Sequence, residues 1–305
     1  MDQQHLLSHS ITTEEIDVAI QKIATRIRQH GDKPYATVDM QRDLLQQLSQ
    51  FELGRFLLIN RGINGYWTHY MLTYPWSGEQ ENLTPLERYI LERSPTTLAT
   101  QERFEIFLKE NQQVVNHSST LACIPSGMMG ELLYLKVTGI SNIKLIGVDY
   151  DPNALSDAKL LAAKQNLSTV VELNQSDAWS LHVANKFDLI SSNGLNIYES
   201  DDARVTELYR TFYNALKPGG KLVTSFLTCP PTMSDECEWD ISVINQNDLL
   251  LQKIIFGDIL EAKWQCYRSS AQTKEQLESV GFESLKFIYD RAKLFPTVVA
   301  YKGSI

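Results

Sequence analysis

The spacing of apolar residues along this chain changes character near residue 119. Before that point the period is helical. Ile16, Ile20, Ile23 and Ile27 fall on one face and Gly31 ends the run, with Thr12 and Glu15 reading as a capping box at its start. A second helix is predicted over Val38–Leu53, with Leu44, Leu45, Leu48 and Phe51 turned inward. A third starts at Thr84, where Pro85 suits the first helical position and Glu87 closes the box. Phe104, Phe107 and Leu108 predict another over Gln101–Val115. No strand is predicted in this part.

After residue 119 short β-like runs alternate with helical stretches. The runs are Thr120–Ile124, Lys144–Val148, Val170–Leu173, Phe187–Ser191 and Lys221–Leu227. Several are almost wholly apolar, as parallel strands covered on both faces require. Alternation of strand and helix predicts a doubly wound α/β sheet with right-handed crossovers. Val205, Leu208, Tyr209, Phe212 and Leu216 mark a helix over Asp202–Leu216. Thr273 and Gln276 predict the start of a last helix that Gly281 ends. Two more strands, Ser284–Tyr289 and Thr297–Tyr301, follow it. The expected division is a helical extension or cap at 1–100 and a core at 101–305. Residues 229–265, rich in Leu249, Leu250, Ile254, Ile255 and Phe256, form a helical insertion long enough to cover a substrate.

Composition removes several classes of function. A net charge of −9 over 305 residues, without a basic block, disfavours a nucleic-acid partner. No apolar run approaches the roughly 18 residues of a membrane helix, so no membrane role is expected. Met1–Ser10 has no basic start followed by an apolar stretch, so no secretory signal is expected. Cys123, Cys229, Cys237 and Cys266 include no C-x-x-C pair, which points to neither a metal site nor a disulfide framework. A cytoplasmic protein with a small-molecule substrate is the resulting expectation. Its oligomeric state is left open.

Three features suggest chemistry. The first strand runs into Pro125-Ser126-Gly127-Met128-Met129-Gly130 and then a helix, where small residues let backbone N–H groups and a helix N-terminus approach a ligand. The second strand ends in Asp149, whose carboxylate can accept from both hydroxyls of a ribose. Asp151 and Pro152 then start the following helix. Asp177 follows the third strand, where a carboxylate can sit beside an adenine. Taken singly, these read as a turn, a solvated strand end and a helix cap. The distance from Gly127 to Asp149 suits any nucleotide-binding βαβ unit.

Four later segments narrow the choice. Phe187-Asp188-Leu189-Ile190-Ser191-Ser192-Asn193-Gly194-Leu195 resembles the fourth strand of class I S-adenosylmethionine-dependent methyltransferases. Leu216-Lys217-Pro218-Gly219-Gly220 resembles that family's turn into strand five, and Gly147-Val148-Asp149-Tyr150-Asp151-Pro152 its ribose-binding segment. Leu277-Glu278-Ser279-Val280-Gly281-Phe282 is similar to the element before its C-terminal hairpin. The resemblance covers about residues 100–303. It implies a Rossmann-like, seven-stranded, mostly parallel sheet closed by an antiparallel β6–β7 hairpin, with S-adenosyl-L-methionine as cofactor. It further implies cofactor contacts from Pro125, Ser126, Gly127, Asp149, Tyr150, Asp177, Ala178, Trp179, Asn193 and Gly194.

One departure stands out. The family's first motif, D/E-x-G-x-G-x-G, keeps only its last glycine in Leu121-x-Cys123-x-Pro125-x-Gly127, so an acidic anchor for the amino-acid end of the cofactor is missing. The fourth strand carries Asn193-Gly194-Leu195-Asn196 rather than Asn/Asp-Pro-Pro-Tyr/Phe, which disfavours amide and nucleobase nitrogens as acceptors. The resemblance therefore implies methyl transfer to oxygen or carbon of a small molecule. Tyr66, Trp67, His69, Tyr70 and Asn196 are the substrate-contact candidates, and no catalytic base is assigned. His182 is expected on a surface helix. A non-catalytic S-adenosylmethionine-binding protein is the alternative, and a nicotinamide-dependent oxidoreductase the more distant one.

Overall fold

The computed structural model describes residues 16–77, 82–233 and 237–304. The expected capping box of Thr12 and Glu15 lies outside them. The chain divides into two compact units, Met1–Leu98 with Ile241–Trp264, and Ala99–Asp240 with Gln265–Ile305.

The first unit is helical: α1 (Ile16–His30), α2 (Val38–Leu48), α3 (Glu52–Asn60), α4 (Gly65–Ser77) and α5 (Pro85–Glu92). Thr84 caps α5 by accepting from Glu87 N–H at 3.2 Å, with Pro85 in its first turn. The single helix expected over Val38–Leu53 is two. It ends at Leu48, and Phe51 takes an extended conformation that starts α3 in a new direction. Within the segment expected as an insertion into the core, Ile241–Trp264 belongs to this unit. It carries α10 (Gln246–Gln252), continued by π-helical turns over Lys253–Ile259. The physical reason is burial, since Ile254, Ile255, Ile259 and Leu260 pack with Ile27, Leu48, Leu57 and Ile90. Polar contacts fix the junction: Tyr89 Oη–H donates to the Asp248 carbonyl at 2.6 Å, and Gln252 Oε1 accepts from Ser94 Oγ–H at 2.9 Å.

The second unit is the doubly wound sheet. Its strands are β1 (Thr120–Cys123), β2 (Lys144–Asp149), β3 (Val171–Gln175), β4 (Phe187–Ser192), β5 (Leu216–Ser225), β6 (Phe282–Ile288) and β7 (Thr297–Lys302), in the order β3-β2-β1-β4-β5-β7-β6. β1 to β5 are parallel, and β7 runs antiparallel to both β5 and β6. One face packs on α9 (Asp202–Ala215) and α11 (Ser270–Val280) through Val205, Phe212, Leu277 and the alternate strand residues Ile146, Ile190 and Leu222. The other face packs on α6 (Pro95–Gln112), α7 (Gly130–Leu133) and α8 (Pro152–Lys164), through Phe107, Leu132, Leu161, Leu145, Leu189 and Val223. Strand order reverses between β1 and β4, and ligands of such sheets bind at that crevice, beyond the carboxyl ends of the strands.

Two local features differ from expectation. β5 pairs from Leu216 rather than Lys221, because Lys217–Gly220 loops out between the pairs Phe187–Leu216 and Leu189–Lys221. A Cβ on Gly220 would lie 2.8 Å from the Lys217 carbonyl oxygen, so the loop closes only on glycine. The capping box of α11 sits one turn before the predicted one, formed by Ser269 and Gln272, while Thr273 is buried inside the helix face. Gly281 ends α11 with φ 112°, as expected.

Candidate functional site

The predicted cofactor residues collect at the carboxyl ends of β1, β2, β3 and β4. After β1 the chain passes a cis Ile124–Pro125 bond, and Ser126 N–H donates to the Val148 carbonyl at 2.8 Å. Gly127 (φ 46°) then donates its N–H to Asp149 Oδ2 at 2.9 Å. The loop lies hard against β2, where a Cβ on Gly147 would be 3.0 Å from Met129 Sδ and 3.2 Å from Ser126 Cβ. The helix that follows differs from the one expected. α7 has four residues, too few peptide dipoles to draw an anion to its N-terminus.

Asp149 is the best-defined acceptor group. Oδ1 takes the Asp151 N–H at 3.0 Å and Oδ2 that of Gly127, which aims the carboxylate while leaving each oxygen a further lone pair. Burial pushes its pKa up, and the backbone donors offset part of that rise. Tyr150 beside it is exposed. Asp151 caps α8 by accepting from Asn153 N–H at 2.9 Å, as the sequence predicts.

The segment after β3 splits its candidates. Asp177 Oδ1 accepts from Trp179 N–H at 3.0 Å, Ala178 is buried in the core, and Trp179 turns to α9. Its indole N–H donates to the Arg204 carbonyl at 2.8 Å, with the Arg204 guanidinium 5.0 Å over the ring. The Trp179 ring is therefore engaged by α9. His182 lies exposed on a loop with φ 51°, not on a helix.

Beyond β4, Asn193 Oδ1 accepts from Ser225 Oγ–H at 3.2 Å, and Gly194 (φ 80°) has open space where a side chain would be. Asn196 is 3% exposed and donates Nδ2 to Tyr209 Oη at 2.9 Å and to the Ser225 carbonyl at 2.8 Å. This substrate candidate thus ties the exit of β4 to β5 and α9. Tyr66, Trp67, His69 and Tyr70 stand on α4 in the first unit. There Trp67 meets Tyr66 and Tyr70 edge-on at 5.0 and 5.5 Å. Tyr70 Oη–H donates to Glu87 at 3.4 Å, and its pKa is raised by burial first and Glu87 second.

Two charged residues that sequence reasoning passed over stand at the same edge of the sheet. Glu131, 7% exposed on α7, accepts from Ser191 Oγ–H at 2.8 Å and Cys123 Sγ–H at 3.3 Å, while Asn111 donates to its carbonyl and to Ser191. A buried carboxylate thus stands at the carboxyl end of β1, where the first motif lost its acid. Arg103 on α6 is 4% exposed and bonds Ser225 Oγ at 3.3 Å. Both had a signal, as charges at inward positions of apolar runs: Arg103 shares its stripe with Ala99 and Phe107, and Glu131 precedes Leu132 and Leu133. Among the described residues, no group of three or more His, Cys, Asp or Glu stands close enough to hold a metal ion.

A methyltransferase-domain family model matches residues 127–297, more than half of the chain. The chain belongs to that family. Its sheet order and fold are those of class I S-adenosylmethionine-dependent methyltransferases. A possible exported protein from Bordetella parapertussis is similar over 99% of both chains, with 45% identity and a TM-score of 0.90. Phosphoethanolamine N-methyltransferase 1 of Arabidopsis thaliana is 29% identical over 161 residues, 50% of this chain. The chain spans 32% of that relative's length. The apo S-adenosylmethionine-dependent methyltransferase SibL shares the fold, with a TM-score of 0.53 at 11% identity over 93% of this chain and 70% of that one. The residues present fit the methyltransferase cofactor: Asp149 keeps acceptor capacity for a ribose, and Glu131 is a buried carboxylate suited to an ammonium.

Proposed function

We propose that this methyltransferase transfers the methyl group of S-adenosylmethionine to an oxygen or carbon nucleophile of a small molecule, in the cytoplasm. The carrying observation is the Asp149 carboxylate, aimed by two backbone N–H groups beyond β2 and beside the Gly127 loop. When bound, the cofactor supplies a sulfonium methyl already activated toward nucleophiles, so the protein's task is alignment and exclusion of water. Asp149 would hold the ribose, and Glu131 the amino-acid end in place of the missing motif acid. Asn193 and Gly194 follow the strand beside which the acceptor would lie, with Asn193 held by Ser225.

A second reading, an amine nitrogen as acceptor, is favoured by the likeness to phosphoethanolamine N-methyltransferase 1. The absence of a Pro-Pro pair after Asn193 speaks against amide nitrogens but not against amines, which need no planar amide clamp. Calorimetry with S-adenosylmethionine, followed by release of S-adenosylhomocysteine across oxygen, carbon and amine acceptors, decides between these readings. Binding without turnover of any acceptor would favour a non-catalytic role. Cell fractionation tests the compartment.

A further inference from the structure

Arg103 holds a charge that the protein itself leaves largely unmatched. It is 4% exposed, its Nε has no hydrogen-bond partner, and among the described residues it forms no ion pair. Its guanidinium meets Ser225 Oγ at 3.3 Å and stacks over the Phe295 ring at 4.3 Å. Burial lowers its pKa to about 10, with Glu131 and then Asp290 resisting that fall without touching it. Folded proteins pair buried charges, because an unpaired one costs several kcal/mol of desolvation. The exception calls for a ligand.

The fold says where that ligand lies. Glu110 of α6 bonds Lys221 in the middle of β5 and Arg103 bonds Ser225 at its end, so α6 runs against the strand and delivers Arg103 to the carboxyl edge. Ser225 Oγ–H also donates to Asn193 Oδ1, which links the guanidinium to the residue just beyond β4. In the strand order, β5 is three spacings from β2 and its ribose acid, about 14 Å. Arg103 is therefore on the acceptor side of the crevice.

We propose that Arg103 binds an oxyanion, carboxylate or phosphate, of the methyl acceptor. This rests on the methyltransferase reading above. The planar donor fork suits either anion, and stacking on Phe295 with Ser225 as a hydrogen-bond partner holds it in one orientation.

The test titrates benzoate and inorganic phosphate into the protein saturated with S-adenosylhomocysteine, with heat as the readout. At least one anion should bind the wild type, and Arg103→Met should weaken it about tenfold or more. Arg103→Lys, which keeps the charge on a fold closer to wild type, should retain part of that affinity. S-adenosylhomocysteine itself should bind both variants within about twofold of wild type, the value for a residue that does not touch it. No anion binding to wild type, or equal binding to Arg103→Met, overturns the proposal. So does a loss of S-adenosylhomocysteine affinity that 5′-methylthioadenosine, which lacks the carboxylate, does not share; the guanidinium would then serve the cofactor. If the wild type binds no S-adenosylhomocysteine at all, the methyltransferase reading fails instead.

Discussion

Arg268 and Arg103 are both buried in the sheet unit, 3% and 4% exposed, and their surroundings treat them in opposite ways. Arg268 donates from Nε to Asp202 at 2.8 Å and from its two terminal nitrogens to the carbonyls of Asn196 and Glu199 at 2.8 and 2.7 Å. It stitches the exit of β4 to α9, and each of its three nitrogens is satisfied. Arg103 has one bond to a hydroxyl and an orphan Nε. Lys221 belongs with Arg268, since its ammonium meets Glu110 Oε2 at 2.7 Å, the Glu110 carbonyl at 2.8 Å and Gln113 at 3.1 Å. A cation with a complete set of acceptors belongs to the fold. One left short of acceptors is held for something that arrives.

Substitutions test that distinction. The largest effect should come from Lys221→Met, which leaves buried Glu110 paired only with the more distant ammonium of Lys286 at 3.7 Å and should cost ~3–5 kcal/mol in denaturant unfolding. Arg268→Met, leaving the Glu199 carbonyl without a donor and the Asn196 carbonyl with only the Glu199 N–H, should cost ~2–3 kcal/mol by the same measurement. Asp149→Ala should leave the fold intact and weaken S-adenosylmethionine binding by ~1–3 kcal/mol in calorimetry. An unchanged affinity would mean that the ribose contact is misassigned. Arg103→Met should have the smallest effect, leaving stability at pH 7 unchanged or raised by ~1 kcal/mol, because it removes a poorly solvated charge. A loss above ~2 kcal/mol would move Arg103 into the structural class with Arg268.

Acidity sharpens the same contrast. The folded-state pKa of Arg103, about 10, lies below that of a free guanidinium. The charged folded form therefore carries its penalty below that pH and sheds it as pH rises through about 10. Wild type should gain stability relative to Arg103→Met across that range, read as a shift between their urea midpoints.

Much of the fold was legible because strands buried on both faces are written as unbroken apolar runs, and turns as Pro and Gly. Asp149 was legible for a related reason, as the acid ending such a run. The break in α2 was not, since Ser49 and Gln50 carry no strong stop and Leu53 keeps the helical period. Arg103 and Glu131 were harder still. Each lies on a helix, and its meaning comes from which strand end that helix crosses. The Ile254–Leu260 stretch announced a helix in sequence, while its partners at Ile27 and Ile90 lie far away along the chain.

Cys123 has a consequence for survival during catalysis. It occupies a position where the family usually has glycine, buried at the carboxyl end of β1. A thiolate within reach of a sulfonium methyl would be a competent methyl sink. Burial, reinforced by Glu131, raises the thiol's pKa well above its ordinary value, and its S–H is donated to that carboxylate. The protonated sulfur is a poor nucleophile. Glu131 thus also holds this thiol in its protonated form.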